Sequence, residues 1–365
     1  MLQIALVGLT ASGKTALFNA LTGAHEQVGT YSGLSGATHV ASVPVPDARL
    51  DNLARILQPE KVVPVMMEFL DTPGLAVGAN ESRKGNARLL GTLREVDALA
   101  LVVRRFASDR VAHPLDSIDP ARDVAEIEAE LVLADLDVVE KRVQKINHSL
   151  KRTLAPAEKK ILEAELVVAD RCAKALGEGH GADSLNLTLD DRKLISSLAL
   201  LTLRPRIVVV NLDDSSLGAD DWKAGLENRP SLVGIAAEWE MEVDELPPDE
   251  RAAFFADAGI SEPALPRVVR TCFEALHMIT FYTGHGHTES RAWELPRGTD
   301  IVTAAARIHT DIAKGFIRAE ITPYDAIAHL GSFKDVRAHG QSHLEGRTYL
   351  VADGDLLDIR FSPPA

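Results

Sequence analysis

Residues 8–15 read Gly-Leu-Thr-Ala-Ser-Gly-Lys-Thr. The spacing G-x-x-x-x-G-K-[ST] is that of a phosphate-binding P-loop, and each fixed position has a physical task. Gly8 and Gly13 let the backbone turn tightly enough for its N–H groups to face phosphate oxygens. Lys14 places a point charge on β- and γ-phosphates. Thr15 offers a hydroxyl to Mg²⁺. Ala11, Ser12 and Ala16 complete the set of loop positions expected against the nucleotide. The apolar run 2–7 before the loop reads as a buried strand. Residues 16–21 after it open a helix, whose N-terminus adds the positive end of a dipole.

The bulk properties fit such a domain. A chain of 365 residues can hold two or three domains, and 46% hydrophobic content marks it as folded and globular. The formal net charge of −14 argues against a general nucleic-acid coat but allows a local basic patch. Cys172 and Cys272 match no metal or redox spacing, and their scarcity fits a reducing cytosol. The first apolar run lacks the basic start of a signal peptide. No run of about 18 apolar residues is present, so no membrane span is expected and a cytoplasmic location is.

Outward from the P-loop, apolar runs alternate with helical patterns through residue 120, including strands at 65–70 and 98–104. Such alternation implies α/β architecture with a parallel-rich sheet. From 121 to 198 the period lengthens. Val124, Ile127, Leu131, Ala134 and Val138, then Val139, Val143, Ile146 and Leu150, step as one long amphipathic helix. Pro156 breaks it. Ile161, Leu162, Leu166, Ala169, Cys172 and Leu176 form the stripe of a second helix, giving an inserted α-helical hairpin with coiled-coil character. The strand pattern resumes at 207–210, so 199–276 completes the interrupted α/β domain. Residues 277–365 read as a small mixed sheet with a helix over 301–312 and strands at 278–282, 290–295, 316–321, 349–351 and 357–361.

Three further features narrow the chemistry. Asp71-Thr72-Pro73-Gly74 ends a strand, where Asp71 can hold Mg²⁺ and the Gly74 N–H can sense a γ-phosphate. Asn211-Leu212-Asp213-Asp214 follows the strand at 207–210 and stands where many GTPases carry Asn-Lys-x-Asp. Asp214 fills the position that pairs with guanine, and Leu212 offers only an apolar face. Gly234-Ile235-Ala236-Ala237-Glu238 is a weaker match to the turn whose alanine N–H reads the base oxygen, making Ala237 the candidate.

The order of these motifs resembles the YchF family, the Obg-like ATPases. The resemblance rests on the P-loop and Asp-Thr-Pro-Gly, on residues 43–50 (Val-Pro-Val-Pro-Asp-Ala-Arg-Leu) and on 131–137 (Leu-Val-Leu-Ala-Asp-Leu-Asp). Residues 308–311 with 314–320, residues 291–293 and residues 353–355 add to it. It covers nearly the whole chain. It implies a G domain (1–120 and 199–276), a helical coiled-coil insertion (121–198) and a C-terminal β-grasp, TGS-like domain (277–365). It also implies nucleotide hydrolysis and association with ribosomes or RNA through the helical and C-terminal domains.

The chain departs from that family in places. Ala11 replaces the usual Asn, a side-chain oxygen that related GTPases use for K⁺, which leaves potassium dependence open. Asp214 is one methylene shorter than the family's Glu, so GTP and ATP both stay open. Leu75 stands where Ras-type GTPases place the water-orienting Gln. His113 is the hypothetical helper, set against a plain loop histidine. Thr38, with Thr30 and Ser35 as alternatives in a tract holding Gly29, Gly33 and Gly36, is the first-switch residue expected on Mg²⁺. The stretch after Gly78-Ala79 is altered too, and slow intrinsic turnover is expected.

Other features weigh less. His285 and His287 make a poor metal tip. Arg307, His309, Lys314 and Arg318 form a candidate basic face. Asp135, Asp137 and Glu140 read as solvated helix charges. The reading is a Mg²⁺-dependent GTP or ATP hydrolase acting as a switch. The catalytic candidates are Lys14, Thr15, Asp71 and Gly74, and Asn211, Leu212, Asp214 and Ala237 lie at the base. The alternative is a nucleotide-sensing ribosome or RNA adaptor with negligible hydrolysis.

Overall fold

The computed structural model describes residues 1–23, 39–76, 80–217, 219, 221–229, 231–257, 260, 262–284 and 288–362. They divide into two compact units. One holds Leu2–Ala41 and Glu68–Cys272, and the other holds Met1, Ser42–Met67 and the chain from Phe273 onward.

The chain runs β1 (Leu2–Val7), α1 (Lys14–Thr22), β2 (His39–Pro44), α2 (Ala48–Leu57), β3 (Lys61–Val63), β4 (Met66–Asp71), α3 (Asn80–Leu93) and β5 (Ala98–Arg104). After the inserted helices α4 (Pro120–Leu150), α5 (Pro156–Gly177) and α6 (Leu189–Leu194) come β6 (Arg206–Asn211), β7 (Leu232–Ile235) and α7 (Ala237–Asp244). The first sheet has the order β2-β4-β1-β5-β6-β7, with β1/β5, β5/β6 and β6/β7 parallel. All seven residues of β5 are buried, as a parallel strand covered on both faces must be. The loops after β1, β4, β5 and β6 lie at the carboxyl ends of their strands, the edge where open α/β sheets place ligands.

The helical hairpin grows out of the core of this unit. Asp119 caps α4 by accepting from Arg122 N–H, and Pro120 fits the first turn, where no N–H is needed. Val124, Ile127 and Leu131 pack with the sheet core. Farther along, Val132 and Val139 meet Val168, Ala169, Cys172 and Leu176 of α5. Ile161 was expected on that stripe but is 59% exposed. Burial passes instead through Glu165, whose two oxygens take the Arg142 guanidinium at 2.6 Å each.

Asp135 is another correction. It is fully buried, not solvated. Its carboxylate accepts from Arg94 Nη1 (2.8 Å), Leu201 N (3.0 Å), Thr202 N (2.8 Å) and Thr202 Oγ1 (2.8 Å). One carboxylate thus ties α4 to the turn that leads back into the sheet.

The second unit is a β-grasp. Its strands are β8 (Met278–Thr283), β9 (Glu289–Pro296), β10 (Phe316–Pro323), β11 (His343–Glu345) and β12 (Asp355–Phe361), in the order β11-β10-β12-β8-β9-β3. The last strand lies between β10 and β8, antiparallel to the first and parallel to the second. The helix Ile301–Ile308 covers Ile279, Phe281, Ala319 and Ile321. The longer helix expected over 301–312 breaks at His309, whose extended backbone lets Nδ1 accept from Asp311 N and cap a short second helix. Residues 349–351 form no strand, and Leu350 makes only an isolated bridge with Asp300. The Asp355 carboxylate accepts from Tyr349 OH and Ala352 N and turns this stretch over before β12.

Residues 42–67, expected in the first part of the G domain, belong to this second unit. β3 pairs in parallel with β9, Lys61 opposite Glu289. Asp47 caps α2, accepting from Arg49 N, and its other oxygen accepts from the buried Tyr282 hydroxyl. Burial and then Asp47 hold that phenol well above its ordinary pKa. Arg49 forks onto both oxygens of Asp353 (2.9 and 3.3 Å), and Asn52 donates to Tyr324 OH. The strings 43–50 and 353–355, far apart in sequence, are two halves of one clamp.

Two outcomes follow. Asp135→Ala takes the carboxylate from the Arg94 charge, which keeps only the Ala199 and Ala134 carbonyls, and leaves two backbone N–H groups unpaired, so urea unfolding should show a loss of about 3–5 kcal/mol. Tyr282→Phe removes one donor from Asp47 while keeping the ring, and the same measurement should show only about 1–2 kcal/mol.

Candidate nucleotide-binding site

The P-loop closes on itself around a cation. Lys14 is 6% exposed, and its Nζ donates to the carbonyls of Gly8 (3.1 Å) and Leu9 (2.9 Å). Burial pushes its pKa down to about 8, while Asp71 pulls the other way. Two carbonyl dipoles and one carboxylate compensate a buried charge only in part, which leaves it suited to an anion. Ala11 and Gly13 both adopt positive φ, 63° and 88°. For Ala11 this left-handed conformation costs about 1–2 kcal/mol. Ser12 Oγ is buried with no hydrogen-bond partner among the described residues.

Crowding fixes the neighbouring turns. A Cβ on Gly13 would stand 2.0 Å from Asn211 Nδ2, and one on Gly74 would stand 2.8 Å from Thr10 Cα. The Asp-Thr-Pro-Gly turn is stitched to the P-loop strand by Thr72 Oγ1 donating to Leu6 O and Leu75 N donating to Gly8 O (2.9 Å). Thr15 Oγ1 donates to Asp71 Oδ2 at 2.7 Å. A hydroxyl and a carboxylate side by side are the hard oxygen donors that Mg²⁺ takes. Lys14, Thr15, Asp71 and Gly74 are therefore brought together as expected from the sequence. Thr38, Thr30 and Ser35, the tract with Gly29, Gly33 and Gly36, Gly78-Ala79, and His285 and His287 lie outside the described residues.

The base end is equally compact. Asn211 Nδ2 donates to Ser12 O (3.4 Å), and Asn211 Oδ1 accepts from Ala237 N (3.3 Å), so one side chain joins the P-loop to the start of α7. A cavity of about 290 Å³ opens there, lined by Gly13, Ala16, Leu212, Asp214, Phe106 and Trp239 among others. Asp213 is occupied locally: its Oδ1 accepts from Ser215 Oγ, Ser216 Oγ and Ser216 N, which holds the carboxyl below the usual range. Asp214 is exposed and, among the described residues, accepts from the adjacent Ser215 N (2.8 Å).

Phe106 and Trp239 were missed in the sequence. Phe106 is held by Arg104, a buried guanidinium 4.5 Å from the ring centroid that donates to the Phe106 and Val111 carbonyls. Burial lowers the Arg104 pKa. The available signal was an Arg-Arg-Phe ending to an otherwise apolar strand. His113 fits neither of its readings. Its side chain is 5% exposed, Nδ1 accepts from Leu115 N, and Nε2 therefore carries the proton shared with Asp123 at 2.8 Å. It is a structural clamp at the root of α4.

Comparison with known proteins agrees with this geometry. Residues 3–169 match the 50S ribosome-binding GTPase family model (MMR_HSR1). Residues 278–362 match the YchF-GTPase_C model, described as a protein of unknown function (DUF933). The chain is 36% identical to the ribosome-binding ATPase YchF of Pasteurella multocida (strain Pm70), over 98% of each chain. It is 32% identical to the ribosome-binding ATPase YchF of Bacillus subtilis (strain 168), over 99% of each. The solved Schizosaccharomyces pombe YchF GTPase superposes with a TM-score of 0.83 at 27% identity, covering 98% of this chain and 97% of that one. The chain belongs to the YchF family and is a P-loop NTPase.

Proposed function

We propose that the chain is a Mg²⁺-dependent ATPase whose nucleotide state controls its association with ribosomes. The observation that carries the enzymatic part is the Thr15–Asp71 hydrogen bond beside the buried Lys14. Thr15 and Asp71 would hold Mg²⁺, which when bound neutralises phosphate charge. Lys14 binds and orients the β- and γ-phosphates, and the Gly74 N–H is the γ-phosphate sensor. The ribosome enters from the names of the relatives, and the helical hairpin and C-terminal sheet are the surfaces that could meet it or its RNA.

ATP is favoured over GTP by the hydrogen-bond inventory of the base cavity. Guanine O6 needs a donor. The Ala237 N–H, the expected donor, is engaged by Asn211. The charged lining is Asp213, Asp214, Glu238 and Glu242, all acceptors when ionised. These acceptors can take the adenine amino group as well as guanine N1–H and N2, so the preference rests on O6, whose expected donor is engaged. Leu212, with Phe106 and Trp239, provides the apolar contact surface.

Turnover should be slow unaided. Leu75 is 1% exposed and points no polar group at a water, and His113 is sequestered by Asp123. The same facts support the second reading, a nucleotide-sensing adaptor that hardly hydrolyses. Phosphate release with and without ribosomes separates them. The ATPase reading requires stimulation well above background, and tight ATP binding with no release in either condition would establish the adaptor.

In competition binding with fluorescent analogues and Mg²⁺, unlabelled ATP should displace the probe at lower concentration than GTP. The opposite order would return guanine reading to Asp214. Lys14→Ala should weaken ATP binding at least about 100-fold, given one lost buried charge pairing. Lys14 sets a pH dependence as well. Below about pH 8 the free protein already carries the charged form that phosphate prefers. Above it, binding must take up a proton, so Kd should rise with pH by up to about tenfold per unit. Isothermal titration across pH 7–10 checks the sign.

A further inference from the structure

Hydrolysis needs a group that holds the attacking water, and the usual places for one are taken. Leu75 follows Gly74 and is buried and apolar. His113 is tied to Asp123 and to Leu115 N. Lys14 carries donors and no acceptor. Thr15 donates to Asp71, and Thr72 Oγ1 donates to Leu6 O. Ser12 Oγ is buried against Gly8, where a Cβ would stand 2.6 Å from it.

Thr10 differs from all of these. It is exposed at the apex of the P-loop, and among the described residues its hydroxyl has no hydrogen-bond partner. A Cβ built on Gly74 would stand 2.6 Å from Thr10 Oγ1 and 3.0 Å from Thr10 N. The hydroxyl therefore lies beside the backbone of the γ-phosphate sensor. Two links fix this approach: Leu9 and Leu75 form a parallel bridge, and Leu75 N donates to Gly8 O. Lys14 Nζ lies under the same turn, on the carbonyls of Gly8 and Leu9. The free hydroxyl, the ammonium and the Gly74 turn thus border one end of the loop, and solvent reaches it.

We infer, on the ATPase reading of this site, that Thr10 is a catalytic residue whose hydroxyl orients the water that attacks the γ-phosphate. A hydroxyl both accepts and donates. Thr10 Oγ1 accepts from the water and donates to a γ-phosphate oxygen, so one group fixes the water relative to the phosphorus. The water oxygen bonds to the γ-phosphorus as the bond to the β–γ bridging oxygen breaks. The bridging oxygen leaves with the electron pair, as part of ADP. One water proton passes to a γ-phosphate oxygen, and the other stays on the attacking oxygen, which gives orthophosphate. Thr10 ends the step unchanged. It supplies position and takes no proton, which accords with a slow unaided turnover.

Three variants of the full chain test this. Thr10→Val keeps the branched shape, Thr10→Ala removes it, and Thr10→Ser keeps the hydroxyl. Single-turnover phosphate release from γ-labelled ATP should slow about 10- to 100-fold in Thr10→Val and Thr10→Ala, the worth of one hydrogen bond to a charged group. Thr10→Ser should release phosphate nearly as fast as the parent. The Kd of the β,γ-imido analogue of ATP should be unchanged in all three. The Kd of ADP with aluminium fluoride, which mimics the transferring phosphoryl group, should rise in step with the loss of rate. Release at the parental rate by Thr10→Val and Thr10→Ala would overturn the proposal. So would a loss of imido-analogue affinity as large as the loss of rate, which would make Thr10 a plain phosphate contact. A parent that binds ATP and releases no phosphate would take the ATPase reading down with it, and is thereby told apart from a failure of Thr10 alone.

Discussion

Everything at the nucleotide end depends on how closely backbones approach one another there. Gly13 leaves no room for a Cβ against Asn211, and Gly74 leaves none against Thr10. Three turns following three different strands converge within van der Waals contact, and the polar links between them are short. Leu75 N reaches Gly8 O, Thr72 reaches Leu6 O, and Asn211 spans from Ser12 to Ala237. A phosphate-binding loop built this way is preorganised, because its neighbours hold it in place before a ligand arrives. The cost is visible in Ala11 at φ 63° and in the Lys14 cation with only partial compensation. A triphosphate relieves the second of these.

The sequence made this end legible because its motifs are local. The P-loop, Asp71-Thr72-Pro73-Gly74 and Asn211 each follow a strand directly, and an apolar run followed by a glycine-bearing turn can be read without knowing the fold. The base cavity was only half legible. Leu212 and Asp214 come from a recognisable string, whereas Phe106 lies in an unremarked loop and Trp239 in the first turn of α7. Their role emerges only when β5 and β7 deliver them to the same cavity.

Long-range pairing defeated the reading elsewhere. Asp135 looks like one charge among several on a helix, and nothing nearby reveals that Arg94, Leu201 and Thr202 converge on it. Period alone put Ile161 on the packed stripe, but the partner helix presents Arg142 at that level and Glu165 answers it. Residues 349–351 have strand-forming side chains, yet the Asp355 carboxylate turns them over. Residues 42–67 were the largest surprise, since sequence order placed them with the P-loop while Tyr282, Tyr324 and Asp353 claim them. Asp355 lies only 6 positions from Tyr349, but in the other cases the deciding partner lies 23 to 304 positions away, beyond any window a periodicity argument uses.

The placement of β3 has a consequence for how the protein is made. A chain synthesised from its N-terminus presents Lys61–Val63 early, but the strand that pairs with it, Glu289–Pro296, is among the later segments to appear. Until then α2 has no surface for Leu50 and Leu53, and an unpaired strand edge faces the crowded exit of the machine that made it. The β-grasp unit is thus sealed only after β9 has been made. A nascent chain cut short before Phe273 would carry a sticky, half-finished edge, and synthesis of the later strands becomes the step that hides it.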